Sequence, residues 1–546
     1  MVKTLIIGID GATFRFIKPL LKEGKLPQLE KLINRGSWGI CRSTIPPVTA
    51  AAWTTFLLSQ NPGQHGAFGF VKQELKDYGQ SSSGEFLSSQ VLAGRTFLDY
   101  INQKTGQPVA LITVPMTYPP WKIKKGVIIS GYPCPDSEEN FIFASPSFKV
   151  QPPQALHFSA AYYDSVSLAE LRADEFQMIK ARAAVALDLL QQSDFAALMI
   201  VFGATDRMQH EFLRFHEQGY PATEEERRLF RGAIEETYQR VDEAIGSLLQ
   251  YTNEETNIIV LSDHGGQPKP RTYFNIQTWL EKEGYLQSRR SSNTLYNLLK
   301  SGLRSSRLLR RLKQKLFQQQ KIKKGLVNWQ KNLAAARFQW SQSRAYFRRL
   351  EFPAGGIVIN LAGRQGQGRV SASEYPQLRR ELKAKLKALR TPKGEKLFPA
   401  VYEREEIYQG PATAEAPDLI FLIHPDYLPN EEKQEQIFSP VPASELRKIS
   451  GLHSMEGIFI TAGPAFRQGV ETELNLIDLA PHILAALNLP LPRHYEGKIK
   501  PEILQPQVKI TYNEEEINLS SPASTTKLSA DEKKQIKKKL ERLGYL

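Results

Sequence analysis

Five short stretches of this 546-residue chain carry side chains that could hold metal ions or attack an electrophile. Asp10 closes the apolar run Thr4–Ile9 and precedes Gly11. A carboxylate at the C-terminal end of a parallel strand stands where open α/β sheets bind ligands, although the same letters also suit a turn or helix cap. Thr49, in Pro46-Pro47-Val48-Thr49-Ala50-Ala51-Ala52-Trp53, stands just ahead of an Ala-rich helical start. Its hydroxyl can lie at a helix N-terminus, where backbone N–H groups and the dipole favour an anion, or it can be an ordinary cap. Asp206 and His210 follow the run Ala197–Phe202 and are four residues apart. One helix face therefore presents both, as an ion requires and as a solvated pair also allows. Asp263-His264 stands between the run Asn257–Ser262 and two glycines. Two water-seeking side chains at the end of a buried run are hard to explain by packing, and the glycines imply close backbone approach or unusual φ. His453, in Gly451-Leu452-His453-Ser454, precedes another apolar run and on its own reads as a hydrogen-bonded structural histidine.

Together, Asp10, Asp206, Asp263, His210, His264 and His453, with the Thr49 hydroxyl, form a mixed nitrogen and oxygen donor set. It suits Zn²⁺ or Mn²⁺ rather than a thiolate metal, and it is large enough for two divalent ions. The elements that must position these groups read as short β-rich runs, Thr4–Ile9, Val109–Val114, Ala197–Phe202, Asn257–Ser262, Gly356–Asn360 and Asp418–Ile423, alternating with helical patterns. Continuous apolar runs of this kind argue for a parallel or mostly parallel sheet in an α/β layer fold. Helical periodicity runs over Leu26–Arg35, Glu224–Leu249 and Glu374–Leu389, and there is no internal repeat.

With 41% apolar and 23% charged residues the chain can bury a core, and its length suits one large catalytic domain with insertions. Cys41 and Cys134 sit in no ligand spacing and read as inert thiols. The first residues read as a strand rather than a signal peptide, and no run approaches the roughly 20 apolar residues that span a bilayer. A cytoplasmic protein, peripheral at most to a membrane, is the expectation. The net charge of +14 is local: from Tyr285 to Trp340 there are fourteen Lys and Arg and no Asp or Glu.

The ordered motifs carry a resemblance. The chain looks like a member of the alkaline phosphatase superfamily, nearest its type I phosphodiesterase/nucleotide pyrophosphatase branch, over Met1 to about Pro270 and again from about Ala416 to Gly497. This implies a three-layer αβα sandwich with a mostly parallel central sheet, here with a basic helical insertion. It implies that Asp206, His210 and His453 hold one ion, and that Asp10, Asp263, His264 and the Thr49 oxygen hold the other, with Zn²⁺ the first expectation and Mn²⁺ the second. It also implies that Thr49 attacks phosphorus in a diester or pyrophosphate to give a phosphothreonine, which water then hydrolyses with net retention. The family's Asn shortly after the nucleophile is absent, Ala52 standing in that stretch, and Arg207 is the expected substitute phosphate contact, with a surface salt bridge as its other reading. Thr49 lies outside the C/S-x-P-x-R context of sulfatases, and it is not the Ser of cofactor-independent phosphoglycerate mutases. His65, after Asn61-Pro62-Gly63, reads as supporting or structural. A phosphomonoesterase or a head-group transferase of the same superfamily stays open, as does a metal-binding regulatory protein without turnover.

The expected organisation is a catalytic core over 1–284, the basic insertion over 285–345, a small α/β subdomain or cap over 346–412, the core again over 413–510, and a polar linker with a C-terminal helix over 511–546. The substrate is expected to be a phosphate-ester small molecule or nucleotide. Residues 285–340 interleave Leu and Trp with Lys and Arg. A solvated lid or oligomer contact, peripheral contact with an anionic membrane, and nucleic-acid binding are their readings, in that order.

Overall fold

Thr4–Ile9, Val109–Val114 and Ala197–Phe202 are buried at every position, which requires a sheet covered on both faces. The computed structural model describes the chain except residues 73–74, 77, 79–84, 136–140, 152–155, 157–165, 290–337, 514–527 and 543–546. In it these runs are β1 (Thr4–Ile9), β3 (Val109–Val114) and β6 (Ala197–Phe202), joined by β4 (Gly126–Ser130) and β7 (Asn257–Leu261) in the parallel order β7-β1-β6-β3-β4. Antiparallel strands extend both sides: β5 (Ile142–Ala144) beyond β4, and β17 (Glu456–Ala462) beyond β7, followed by β2 (Gly36–Arg42). The short β18 (Val470–Glu471) and β19 (Leu474–Asn475) pair with β2 and complete a ten-stranded sheet.

Helices Pro27–Asn34, Leu168–Gln192, Ala204–His216 and Ala233–Leu249 form one covering layer, and Thr49–Leu58, Phe97–Thr105 and Leu479–Ala486 form the other. The architecture is thus a three-layer αβα sandwich on a mostly parallel sheet. Every residue of Thr49–Leu58 is buried, so this helix has no polar face to hold it at the surface. The pattern read as one helix over Glu224–Leu249 is two, Glu224–Phe230 and Ala233–Leu249, parted at Gly232, which caps the second.

Two runs expected in the parallel sheet lie elsewhere. β11 (Ala354–Ile359) and β13 (Leu419–Leu422) belong to a separate antiparallel sheet, β10-β11-β13-β12, with β10 (Ala345–Arg349) and β12 (Ala400–Glu403). The reason is the connection: Leu350 to Pro353 is too short for a crossover, so β10 and β11 can only form a hairpin. Helix Tyr375–Ala388 packs Leu378, Leu382 and Leu386 into the core that this sheet shares. A third small sheet joins β9 (Thr272–Phe274), β14 (Tyr427–Pro429) and β15 (Phe438–Pro440).

The ends of the basic insertion meet, Ser288 bridging Phe338 and Gln339 N–H donating to Gln287 O at 2.8 Å, while 290–337 lie outside the described residues. The C-terminal helix Ala530–Arg542 opens on a Ser529/Glu532 capping box and buries Ile536 and Leu540 in the main core. Among the described residues no helix is long and apolar enough to cross a membrane.

Candidate metal and phosphoryl-transfer site

The C-terminal ends of three adjacent parallel strands supply most of the site. Asp10 follows β1, Asp206 lies in the first turn of the helix after β6, and Asp263-His264 follow β7. The remaining histidine arrives on a two-stranded ribbon, β8 (Gly265–Pro268) with β16 (Gly451–Ser454), in which His453 pairs with Gly266. This ribbon must lie against the helix that bears Asp206 and His210. A Cβ on Gly451 would fall 2.4 Å from the Gln209 carbonyl oxygen, so that position requires glycine, while one on Gly266 would fall 2.1 Å from Gln209 Oε1 and displace that side chain.

Asp206, His210 and His453 converge. His210 Nε2 lies 3.3 Å from Asp206 Oδ1 and 3.1 Å from His453 Nε2, and His453 Nε2 lies 3.5 Å from Asp206 Oδ1. Next to them, His264 Nε2 lies 3.3 Å from Asp263 Oδ2, 3.6 Å from Asp10 Oδ1 and 3.4 Å from Thr49 Oγ1. The His264 and His453 rings stack with centroids 3.8 Å apart, so the two groups are contiguous.

The donor chemistry fits metal ions. The Nδ1 atoms of His210, His264 and His453 donate to the carbonyl oxygens of Gly451 (2.8 Å), Gly265 (3.1 Å) and Pro47 (2.8 Å). With Nδ1 held by a carbonyl, each ring turns its Nε2 inward, the orientation in which a backbone carbonyl holds a metal-binding histidine. Two Nε2 atoms 3.1 Å apart, on His210 and His453, need a cation or proton between them. Asp10 Oδ1 and Asp263 Oδ2 are buried without a hydrogen-bond partner, which is costly for carboxylates unless a cation compensates. Protein charge alone leaves the cluster frustrated. Burial, reinforced by neighbouring carboxylates, pushes Asp10 and Asp263 well above the usual carboxylate range. Burial also works to raise Asp206 and to lower His210, but their mutual attraction outweighs it, holding Asp206 well below its usual range and raising His210 to about 9.

Thr49 is the first residue of its helix, the cap position being Val48, one residue earlier than the sequence suggests. The first helical bond is Ala52 N–H to Val48 O at 2.9 Å, so the Ala50 and Ala51 amides precede the hydrogen-bonded ladder. They offer an anion the free donors of a helix N-terminus. Ala52 is fully buried and brings no side-chain donor. Arg207 is largely buried: its Nη1 lies 3.3 Å from the buried Glu175, and its guanidinium is 5.8 Å from the centre of the Tyr132 ring.

Sequence reasoning missed several supports. Trp53, one turn beyond Thr49, donates its Nε1–H to Asp10 Oδ2 at 3.1 Å and so ties helix Thr49–Leu58 to the end of β1. Gln209 donates to Gly11 O at 2.7 Å, and Ser262 Oγ accepts from Ala12 N–H at 2.9 Å. Glu351, in the β10–β11 turn, lies 3.9 Å from His453 Nδ1. The Trp and Gln lie within motifs already singled out, but Glu351 comes from a distant hairpin with no motif around it.

His65 stands apart from the donor cluster. Its Nδ1 accepts from Ala67 N–H at 3.1 Å, so its Nε2–H donates to Thr55 Oγ1 at 3.0 Å, locking helix Thr49–Leu58 to the following turn. Burial, then the nearby Arg95 charge, lowers His65 from 6.5 to about 3. A lowered folded-state value means stability present above pH 6.5 and lost as pH falls toward 3. Below pH 6.5 the metal-free wild type should lose roughly 1.4 kcal/mol per pH unit that His65→Asn, with nothing to titrate there, does not lose. Urea unfolding in chelator from pH 7.5 to 4.5 measures this, and parallel slopes for the two proteins would contradict it. His482 is likewise structural, held by Asp478 O at 2.7 Å and Lys500 N–H at 2.9 Å.

Among solved structures the chain is similar to human ectonucleotide pyrophosphatase/phosphodiesterase 5, at 12% identity and a TM-score of 0.46, covering 92% of this chain and 99% of that one. An inactive variant of the murine enzyme in complex with AMP gives 14%, 0.47, and coverages of 92% and 100%. Phosphonoacetate hydrolase from Sinorhizobium meliloti 1021 gives 14%, 0.48, and coverages of 88% and 94%. No curated protein sequence matches this one. The family model of type I phosphodiesterases/nucleotide pyrophosphatases matches residues 4–456, most of the chain and all of the clustered side chains, and the chain belongs to that family.

Proposed function

We propose that this protein is a two-metal phosphoryl-transfer hydrolase that cleaves a phosphate diester or pyrophosphate through a phosphothreonine on Thr49. The observation that carries the reading is the position of Thr49 Oγ1, at a helix N-terminus and 3.4 Å from His264 Nε2 within the donor cluster. Asp206, His210 and His453 would hold one divalent ion, and Asp10, Asp263 and His264, with Thr49, the other. When bound, such ions lower the pKa of a coordinated hydroxyl and neutralise charge on oxygens of a phosphoryl group in flight.

The chain's own residues do the rest. Thr49 Oγ1 forms the new P–O bond as the bond to the leaving oxygen breaks on the opposite side, and the leaving group departs with the electron pair. The Ala50 and Ala51 amides lie beside the nucleophile and can donate to a phosphoryl oxygen as its charge grows. Trp53 and the backbone carbonyls behind the three histidines fix the donor atoms in place. Water then attacks the phosphothreonine, the Thr49–phosphorus bond breaks, and two inversions give net retention. Zn²⁺ is the first ion to try and Mn²⁺ the second, from the nitrogen and oxygen donors.

Initial rates on bis-p-nitrophenyl phosphate and p-nitrophenyl phosphate, with Zn²⁺ or Mn²⁺ added, test the reading. The diester should be hydrolysed faster; a faster monoester would make the protein a phosphatase, and no turnover of either would remove the proposal's support.

A further inference from the structure

A pocket of about 400 Å³ opens beside the donor cluster, between the β10–β11 turn and the small sheet of β9, β14 and β15. Its walls include Lys269, Tyr273, Arg349, Glu351, Lys448 and Leu452. Leu452 precedes His453 in the chain, and Glu351 lies 3.9 Å from the His453 ring, so the pocket begins one side chain away from the Asp206/His210/His453 group. Thr49 meets the cluster at the other group, through His264. A substrate phosphoryl group attacked by Thr49 would therefore turn its leaving group toward the His453 end and into this pocket.

The polar groups on its walls are unevenly paired. Lys448 Nζ binds Glu445 Oε1 at 2.8 Å, Glu351 faces His453 and feels the Arg349 charge without pairing with it, and Glu431 has contacts of its own. Lys269, half-buried, reaches only a backbone acceptor, Glu445 O at 3.2 Å, and among the described residues neither it nor the exposed Arg349 has a carboxylate within ion-pair distance. Burial, and then the charges of Arg349 and Lys448, lower the Lys269 ammonium despite Glu445. Two cations outside any ion pair, in a concave site next to a reaction centre, favour an anion, and the low-dielectric walls focus that attraction.

The geometry points to a leaving-group subsite in which Lys269 and Arg349 select substrates whose leaving half carries its own anionic group. This rests on the phosphodiesterase reading above. The probes are phenyl phosphodiesters whose second aryl group bears a para carboxylate, a para phosphonate or, as the neutral reference, a para carboxamide. The carboxylate and phosphonate arms separate the two sources of negative charge. At least one anionic ester should exceed the carboxamide in kcat/KM by about tenfold, mainly through KM. Arg349→Glu, at an exposed position, should bring that ratio to about one or below, and Lys269→Met should cut it at least about threefold. A wild-type ratio near one, or a ratio that survives Arg349→Glu, overturns the proposal.

Should no ester turn over, the reaction reading fails on its own and binding decides the subsite. Calorimetric titration of the Thr49→Ala protein with 4-carboxyphenyl phosphate should then show tighter binding than 4-carbamoylphenyl phosphate. Equal affinities overturn the proposal.

Discussion

Thr49→Ala protein should hydrolyse bis-p-nitrophenyl phosphate at least about 10³-fold more slowly than wild type while keeping its fold and its metal content. The magnitude follows from the division of labour at the site. Removing the hydroxyl deletes the group that forms the new bond, but it leaves the Ala50 and Ala51 amides and both carboxylate and histidine clusters in place. Residual hydrolysis by water in the same electrostatic setting is therefore expected, and complete loss is not. The substitution should be structurally mild, since Thr49 carries no cap hydrogen bond to its own helix and alanine suits a first helical turn. Thr49→Ser, which keeps the nucleophilic oxygen, should recover most of the activity that Thr49→Ala loses. Acid-quenching wild type during turnover and mapping phosphate by mass spectrometry should place it on Thr49. A Thr49→Ala rate within about tenfold of wild type, or phosphate trapped at another residue, would remove the phosphothreonine from the mechanism.

Why this site was legible in the sequence, and the surrounding cap less so, has a physical basis. Asp10, Asp206 and Asp263-His264 each follow closely on a run buried at every position, and the parallel sheet brings the ends of neighbouring strands together without further information. The same argument could not place His453, because its ribbon pairing with Gly266 is a long-range antiparallel contact with no local signature. Only its company in the motif order brought it in. The runs at 356–360 and 418–423 misled for a related reason: an apolar run records burial on both faces but not strand direction. The four-residue link from Arg349 to Ala354 was the signal that made the hairpin, and with it the position of Glu351. Of the two readings of Arg207, an ion pair is present but not a surface one: its partner carboxylate is only 1% exposed, because its helix packs against Leu168–Gln192, which carries Glu175.

The proposed metal ligands yield the second large effect, which also decides how the cluster divides. Loading the wild type should give about two Zn²⁺ per chain, and substituting one carboxylate or histidine from either group should leave about one. His210→Ala and Asp10→Ala should each lose one ion, and the double variant should lose both. His264 is the informative member, since it is within metal-sharing reach of Asp10 and Asp263 and also of Asp206 and His453. Its Nε2 approaches Asp263 Oδ2 to 3.3 Å and Asp10 Oδ1 to 3.6 Å, while Asp206 and His453 already have His210 within 3.3 Å and 3.1 Å. His264→Ala combined with Asp10→Ala should therefore still retain about one ion, whereas His264→Ala combined with His210→Ala should retain none. If the first of these pairs also empties the protein, His264 bridges the two groups and the assignment of separate ions is wrong. Hydrolysis should fall by at least about 10²-fold in every single variant, because neither group alone can both activate Thr49 and stabilise the departing oxygen. Binding should also be proton-linked. Without metal, His210 stays protonated up to about pH 9, and burial keeps Asp10 and Asp263 protonated above the usual carboxylate range. Ligation requires the deprotonated forms, so each bound ion must displace protons and affinity must fall as pH falls below about 9. Calorimetric titration of Zn²⁺ in buffers of different ionisation enthalpy counts those protons, and a heat independent of buffer would show that the donors are already deprotonated in the metal-free protein.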